Sequence, residues 1–108
     1  MSLYGSYIAE REGYNIVEDD GGFATYKIDG EWCYIRDIYV KPELRKSGLA
    51  SYLADMITVK AKELGCSKLL GSVSLGAFEP TASTKVLLAY GFELSHMDGN
   101  LIYFRKEI

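Results

Sequence analysis

The most informative part of this chain is Arg45-Lys46-Ser47-Gly48-Leu49-Ala50. It lies between a strand-like apolar run over residues 34–40 and a helix-like run that begins near Leu49. The first backbone N–H groups of a helix have no partner inside the helix, and the helix dipole adds positive charge at the same end. Arg45 and Lys46 add two full positive charges. The stretch therefore predicts a loop that binds an anion of the phosphate type.

Composition predicts a single domain spanning residues 1–108, with 48% apolar and 25% charged residues. No run approaches the roughly 18 consecutive apolar residues that predict a membrane span. Met1-Ser2-Leu3 leads into no signal peptide, so we expect a cytoplasmic protein without a membrane partner. The net charge of −3 argues against nucleic-acid binding.

The cysteines and the histidine predict no metal site. Cys33 and Cys66 form neither a CxxC motif nor a disulfide framework, which suits a reducing compartment. Zinc needs more ligands than two cysteines and the single His96 supply. We expect both cysteines to be small core residues.

Apolar periodicity and turn dipeptides predict an α/β fold with a mixed, α+β sheet. In chain order we predict a helix over residues 2–11, strands over 14–18, 23–28 and 31–40, a helix from Leu49 to a cap at Gly65, a strand over 68–75, a helix over 82–90, and strands over 92–96 and 101–106. One face of the long helix is predicted to comprise Leu49, Leu53, Met56, Ile57 and Leu64. The strands ending near Val40 and Leu75 are predicted to be parallel, and ligands bind at the carboxyl ends of such strands.

Charge is unevenly distributed along the chain. Residues 1–40 carry eight acidic and three basic side chains, whereas residues 41–108 carry nine basic and seven acidic ones. The acidic part would attract a cationic substrate, and the favoured alternative is that these charges are solvated turns and helix faces.

Residues 34–93 resemble the core of the GCN5-related N-acetyltransferase (GNAT) family. The family signature Q/R-x-x-G-x-G/A is supplied by Arg45, Gly48 and Ala50. It follows a V-x-P-E-x-R motif that begins at Val40, and the run Ala89-Tyr90-Gly91-Phe92 is similar to the end of the family's next helix. The resemblance covers over half of the chain, with the motifs in the family's order.

The resemblance implies a compact acyl-CoA N-acyltransferase fold with a reduced N-terminal region. It implies that acetyl-CoA is the cofactor and that the acetyl group moves to a primary amine, of a small molecule or a protein, by direct attack. A strand bulge would open a gap for pantetheine. The backbone groups implied to bind acetyl-CoA are those of Ile38, Tyr39 and Val40 for pantetheine, and of Arg45, Lys46, Ser47, Gly48, Leu49 and Ala50 for the pyrophosphate.

The chain departs from the family pattern in three places. Pro80 stands where many members have an asparagine, and Leu87 stands where many have the tyrosine that reprotonates the thiolate. Tyr90 lies three residues beyond Leu87 on the same helical face and is the candidate general acid, with a packing role as the favoured alternative. One short helix precedes the hairpin, so we expect an acceptor site that is open or is closed by a second copy in a homodimer.

Asp37 is the first candidate for the base that deprotonates the amine. It stands in an apolar strand, just before the expected bulge, and burial would raise its pKa toward a useful range. The alternative is a surface carboxylate paired with Arg36 or with a cross-strand partner. Glu79 is the second candidate, with a solvated loop acid as its alternative.

Two other functions stay open at this point. The absent tyrosine and asparagine favour a non-catalytic acyl-CoA-binding or regulatory module. A plain α+β interaction domain whose loop binds some other phosphate is the third reading.

Overall fold

The computed structural model of the chain describes residues 2–76 and 80–108, with the backbone alone for residues 80–83. Its elements follow the predicted order. They are α1 (Leu3–Glu12), β1 (Asn15–Asp19), β2 (Gly22–Asp29), β3 (Trp32–Val40), a 3-10 turn (Pro42–Leu44), α2 (Leu49–Glu63), β4 (Lys68–Ser74), α3 (Pro80–Tyr90), β5 (Glu93–Asp98) and β6 (Leu101–Glu107).

The six strands form one sheet in the order β1-β2-β3-β4-β6-β5. Strands β3 and β4 pair in parallel, and every other neighbouring pair is antiparallel. The mixed α/β fold and its central parallel pair are therefore confirmed. Within the described part of the chain, no helix combines the length and the apolar character that crossing a lipid bilayer requires.

Local signals explain where the helices begin and end. The Ser2 hydroxyl accepts a hydrogen bond from the Gly5 amide (2.9 Å) and caps α1, which ends at Gly13 in the left-handed conformation (φ 71°). Helix α2 begins directly after Gly48 (φ 89°), and Gly65 (φ 86°) follows its last turn.

The core lies between the sheet and α2. The side chains of α2 that are buried there are Leu53, Ala54, Ile57 and Ala61. The prediction for Leu64 was wrong, because that residue is 61% exposed. Helix α2 ends at Glu63, so the 3.6-residue period no longer determines which way Leu64 faces.

Strand β3 carries a bulge at Arg36. Thr25 pairs with Asp37 and Tyr26 pairs with Ile35, which leaves Arg36 as an extra residue without a cross-strand partner. The parallel pairing of β3 with β4 runs from Trp32 and Lys68 only as far as Ile35 and Gly71. The two central strands therefore separate directly at the bulge, as the resemblance implied, although the bulge precedes Asp37 instead of following it.

Candidate functional site

The loop between β3 and α2 presents unpaired backbone N–H groups. Lys41 donates to the Gly21 carbonyl (2.8 Å) and the first intrahelical bond of α2 runs from Tyr52 to Gly48 (3.0 Å). Between them, the amides of residues 46–51 find no acceptor among the residues that the structure describes, and no side chain caps the helix. Unpaired donors at the N-terminal end of a helix, where the helix dipole adds positive charge, are the arrangement that binds phosphate.

Two left-handed residues give the loop its shape. Lys46 (φ 65°) and Gly48 (φ 89°) both have positive φ, and the space where a Gly48 side chain would begin holds no atom within 4 Å. A glycine adopts this conformation without strain and leaves the space in front of α2 open. The Ser47 hydroxyl donates to the Leu44 carbonyl and closes the turn.

Arg45 has a structural role in this loop as well as a charge. Its Nε donates to the carbonyl of Val40 (3.1 Å), and its guanidinium lies 5.9 Å from the ring centroid of Tyr39. The side chain therefore ties the loop to the end of β3. Lys46 is exposed and forms no ion pair with any described residue.

An apolar cleft lies beside Ile35, the last residue of β3 that pairs with β4. On the sheet side it is lined by Ile35 and Ile38, and the helices α2 and α3 complete it with Ala50, Ser51, Ala54, Val86, Leu87 and Tyr90, beside Phe92. Beyond Ile35, the backbone of Ile38, Tyr39 and Val40 pairs with no strand on the β4 side within residues 2–76 and 80–108. An extended ligand would find free backbone groups there, as an added strand does.

Asp37 is exposed, which contradicts the expected burial. Its side chain is 47% exposed, and its carboxylate accepts hydrogen bonds at Oδ2 from Arg36 Nε (2.9 Å) and from the Thr25 hydroxyl (2.9 Å). The prediction that Asp37 is buried was wrong. Side chains alternate along β3, so Ile38 lines the cleft while Asp37 lies on the opposite face of the sheet. The residue is the surface carboxylate of the alternative interpretation, paired with both Arg36 and its cross-strand neighbour.

The hydroxyl of Tyr90 is occupied by partners on α2. It donates to Asp55 Oδ1 (2.6 Å) and lies 3.2 Å from the Thr58 hydroxyl, while the ring lines the cleft. Burial raises the pKa of Tyr90, and the hydrogen bond to Asp55 raises it further. This geometry agrees with the packing alternative.

An acidic and aromatic pocket of about 200 Å³ lies at the end of β3. Phe23 and Tyr39, whose ring centroids are 5.8 Å apart, form its apolar wall. The rest of its lining is Glu18, Asp19, Asp20, Gly22 and Lys41. The pocket has more negative than positive side chains, so it favours a cationic guest.

The remaining candidates lie elsewhere. Cys33 and Cys66 are buried free thiols, and burial, helped by the charge of Cys66, raises the pKa of Cys33 to about 12. Both are core residues, as expected. Glu79 and the side chain of Pro80 lie outside the described residues.

Sequence reasoning missed the importance of Thr25 and underrated Arg36. Thr25 is fully buried, and its hydroxyl accepts a bond from the Asp37 amide (3.2 Å) at the bulge. The available signal was a threonine between Ala24 and Tyr26 in a predicted strand, since a hydroxyl that becomes buried there needs a hydrogen-bond partner.

Residues 3–79 match the model of the acetyltransferase (GNAT) family. An aminoglycoside N(6')-acetyltransferase type 1 from Acinetobacter genomosp. 13 is 31% identical over 75 residues, which cover 69% of this chain and 47% of the relative. The chain belongs to the GNAT family, and it spans about half the length of that relative.

Solved structures share the fold at low sequence identity. The PaiA N-acetyltransferase from Thermoplasma acidophilum in complex with coenzyme A superposes with a TM-score of 0.78 at 18% identity, over 98% of this chain and 69% of the other. A GNAT family acetyltransferase from Elizabethkingia anophelis with acetyl-CoA bound gives 0.75 at 16% identity, over 95% and 82%. Acetyl-CoA is the cosubstrate of this family.

Proposed function

We propose that this chain is an acetyl-CoA-dependent N-acetyltransferase that moves the acetyl group to an amine by direct attack. The observation that carries the proposal is the row of unpaired amides over residues 46–51 beside the gap between β3 and β4. The amides bind the diphosphate, and the free backbone of Ile38, Tyr39 and Val40 holds pantetheine in the gap. The residues fit the cosubstrate because these donors have no acceptor among the described residues and the space where a Gly48 side chain would begin holds no described atom within 4 Å.

The chemistry then needs little from side chains. Acetyl-CoA would supply a thioester whose carbonyl carbon accepts the amine. The new C–N bond would replace the C–S bond, and coenzyme A would leave as a thiolate that takes up a proton from water. Backbone N–H groups near Val40 stabilise negative charge on the carbonyl oxygen, and Asp37 receives the proton of the amine, directly or through water. Positioning of the two reactants provides much of the acceleration.

We further propose a cationic amine as acceptor, with the protein in the cytoplasm. The acceptor would approach on the Asp37 face of the sheet, where Phe23, Tyr39 and the acidic turn at residues 18–20 form the pocket described above. The aminoglycoside acetyltransferases among the relatives support this class. The two free buried thiols suit a reducing compartment.

A non-catalytic acyl-CoA-binding module is the second candidate. Two observations favour it. The Tyr90 hydroxyl is hydrogen-bonded to Asp55, and Leu87, which has no acidic proton, stands at the position of the family's tyrosine. It predicts tight acetyl-CoA binding without turnover.

One paired experiment tests the loop and the activity. Gly48→Asp puts a carboxylate among the diphosphate-binding amides, and Gly65→Asp is the matched control, because it has almost the same φ (86° against 89°) and equally open surroundings. Repulsion between like charges costs several kcal/mol, so acetyl-CoA binding by Gly48→Asp should weaken more than about a hundredfold, while Gly65→Asp binds like the wild type.

Isothermal titration measures the binding, and thiol release with a panel of polyamines, aminoglycosides and lysine peptides measures transfer. Equal affinity in the two variants would exclude the loop as the diphosphate site. Binding without thiol release across the panel would favour the non-catalytic module.

A further inference from the structure

The bulge in β3 is held by side chains instead of ladder bonds. At Arg36 the pairing with β2 is interrupted, and the Asp37 amide donates to the Thr25 hydroxyl (3.2 Å). The same hydroxyl donates to Asp37 Oδ2 (2.9 Å). Thr25 is completely buried, so the bulge and the carboxylate of Asp37 are fixed to a rigid point of the sheet.

The side chain of Arg36 is held on three sides. Its Nε donates to Asp37 Oδ2 (2.9 Å), its Nη2 donates to Glu12 Oε2 (3.0 Å), and its guanidinium carbon lies 4.0 Å from the ring centroid of Tyr14. Burial lowers the pKa of Arg36, but the hydrogen bonds and charges of Glu12 and Asp37 outweigh it and raise the pKa overall. A guanidinium with two acceptors and a stacked ring has little rotational freedom.

The two carboxylate oxygens of Asp37 have different surroundings. Oδ2 accepts from both Arg36 and Thr25, whereas Oδ1 receives no hydrogen bond from any residue in the described ranges 2–76 and 80–108. The carboxylate is therefore held through one oxygen, and the other is available to a ligand. Glu12 is the last residue of α1, so the helix that flanks this face of the sheet is connected to the same carboxylate.

We propose that Arg36 is a positioning residue of the transfer reaction. It orients Asp37 through Oδ2 so that Oδ1 meets the incoming amine, and it couples this carboxylate to α1 through Glu12. The proposal rests on the acetyltransferase function proposed above. It also explains why an arginine stands at the bulge, the one residue of β3 that has no pairing partner in β2. Strand pairing alone would not require an arginine at that position.

The test is a double-mutant cycle on the full chain with Arg36→Met and Asp37→Asn. A misplaced catalytic group typically costs about tenfold to a hundredfold in rate, so Arg36→Met should lower kcat by about that factor. The affinity for acetyl-CoA should stay within about twofold, because the loop over residues 45–50 is untouched. If Arg36 acts through Asp37, the double variant is no slower than Asp37→Asn alone.

Two further variants keep the test decisive. Arg36→Lys retains the charge without the two-pronged geometry, so it should recover only part of kcat. Glu12→Gln weakens only the hydrogen bond between Arg36 and α1, and it should lower kcat by about threefold. This variant keeps the role of Arg36 testable if Arg36→Met does not fold.

The outcomes separate the two proposals. Rate losses that multiply in the double variant, or an unchanged kcat in Arg36→Met with a lowered melting temperature, would overturn the role of Arg36 while the acetyltransferase stands. A wild-type protein that binds acetyl-CoA but transfers to no amine would overturn the proposed function, and the role of Arg36 with it.

Discussion

Tyr90 shows how hydrogen-bond partners decide the role of a residue. Its hydroxyl donates to Asp55 on α2 at 2.6 Å and lies beside the Thr58 hydroxyl, so it joins α3 to α2. A proton that is held by a carboxylate is not free for a leaving thiolate, and the raised pKa of Tyr90 makes the phenol a weaker acid. The spacing of Tyr90 from Leu87 correctly predicted that both residues lie on the same face of α3, where they line the cleft. The spacing could not predict the hydrogen bond to Asp55 on α2.

Tyr90→Phe should therefore reduce stability without affecting turnover. Loss of the hydrogen bond is expected to lower the free energy of unfolding by about 1–2 kcal/mol, with kcat within about twofold of the wild type. Tyr103→Phe is the control, because its hydroxyl has no hydrogen-bond partner among the described residues and its ring stacks on His96 at 4.7 Å. Urea unfolding and thiol release measure the two quantities. A large loss of kcat at unchanged stability would show instead that Tyr90 donates the proton.

At the level of elements, α2 shows what periodicity predicts and where it fails. The pattern of apolar residues placed Leu53 and Ile57 in the core, and both are fully buried. It failed at Leu64 because the helix had already ended at Glu63, and it overlooked Ala54 and Ala61, whose small side chains are also buried. Hydrophobic character alone cannot identify buried alanines, since alanine is common on both faces of a helix.

Leu53→Ala and Leu64→Ala make a matched pair on this element. Leu53 is 0% exposed, so its truncation should cost about 3 kcal/mol through lost burial and a residual cavity. Leu64 is 61% exposed, so the same change there should stay within about 0.5 kcal/mol. Urea unfolding at equal m-values measures both. Similar losses at the two sites would mean that α2 does not bury the face that the structure shows.

For the whole molecule, local signals predicted the order of the elements and the parallel pair, whereas the side-chain network at the bulge could not be predicted. Asp29-Gly30 and Asp98-Gly99 each mark a hairpin turn within a few residues of sequence. The bulge at Arg36 depends on Thr25 and Glu12, which are distant in the chain and meet only after the sheet and α1 have packed. The exposure of Asp37 depends on this bulge. The extra residue shifts the register of β3 against β2, so Asp37 lies on the face of the sheet opposite to the cleft that Ile35 and Ile38 line.

The buried thiols make the stability of the whole molecule sensitive to alkaline pH. Burial in the core, helped by the charge of Cys66, raises the pKa of Cys33 from its ordinary value of 9.0 to about 12. Between these values the unfolded chain has lost this proton and the folded chain still holds it. Folded molecules therefore bind more protons, and stability falls as pH rises, by about 1.4 kcal/mol per pH unit from this one group.

Cys33→Ala removes that titration and should flatten the pH dependence. Near pH 8 the variant is expected to be less stable than the wild type, because alanine leaves part of the volume of a fully buried thiol empty. Above pH 9 the difference in free energy of unfolding between the two proteins should shrink by about 1.4 kcal/mol per pH unit. Only the wild type loses stability there by keeping Cys33 protonated in the folded state. Tyr26 and Cys66, whose pKa values burial also raises, titrate in both proteins and largely cancel in the difference. Urea unfolding with a reducing agent at pH 8, 9.5 and 10.5 measures the two curves, and parallel curves over that range would show that Cys33 is not buried as described.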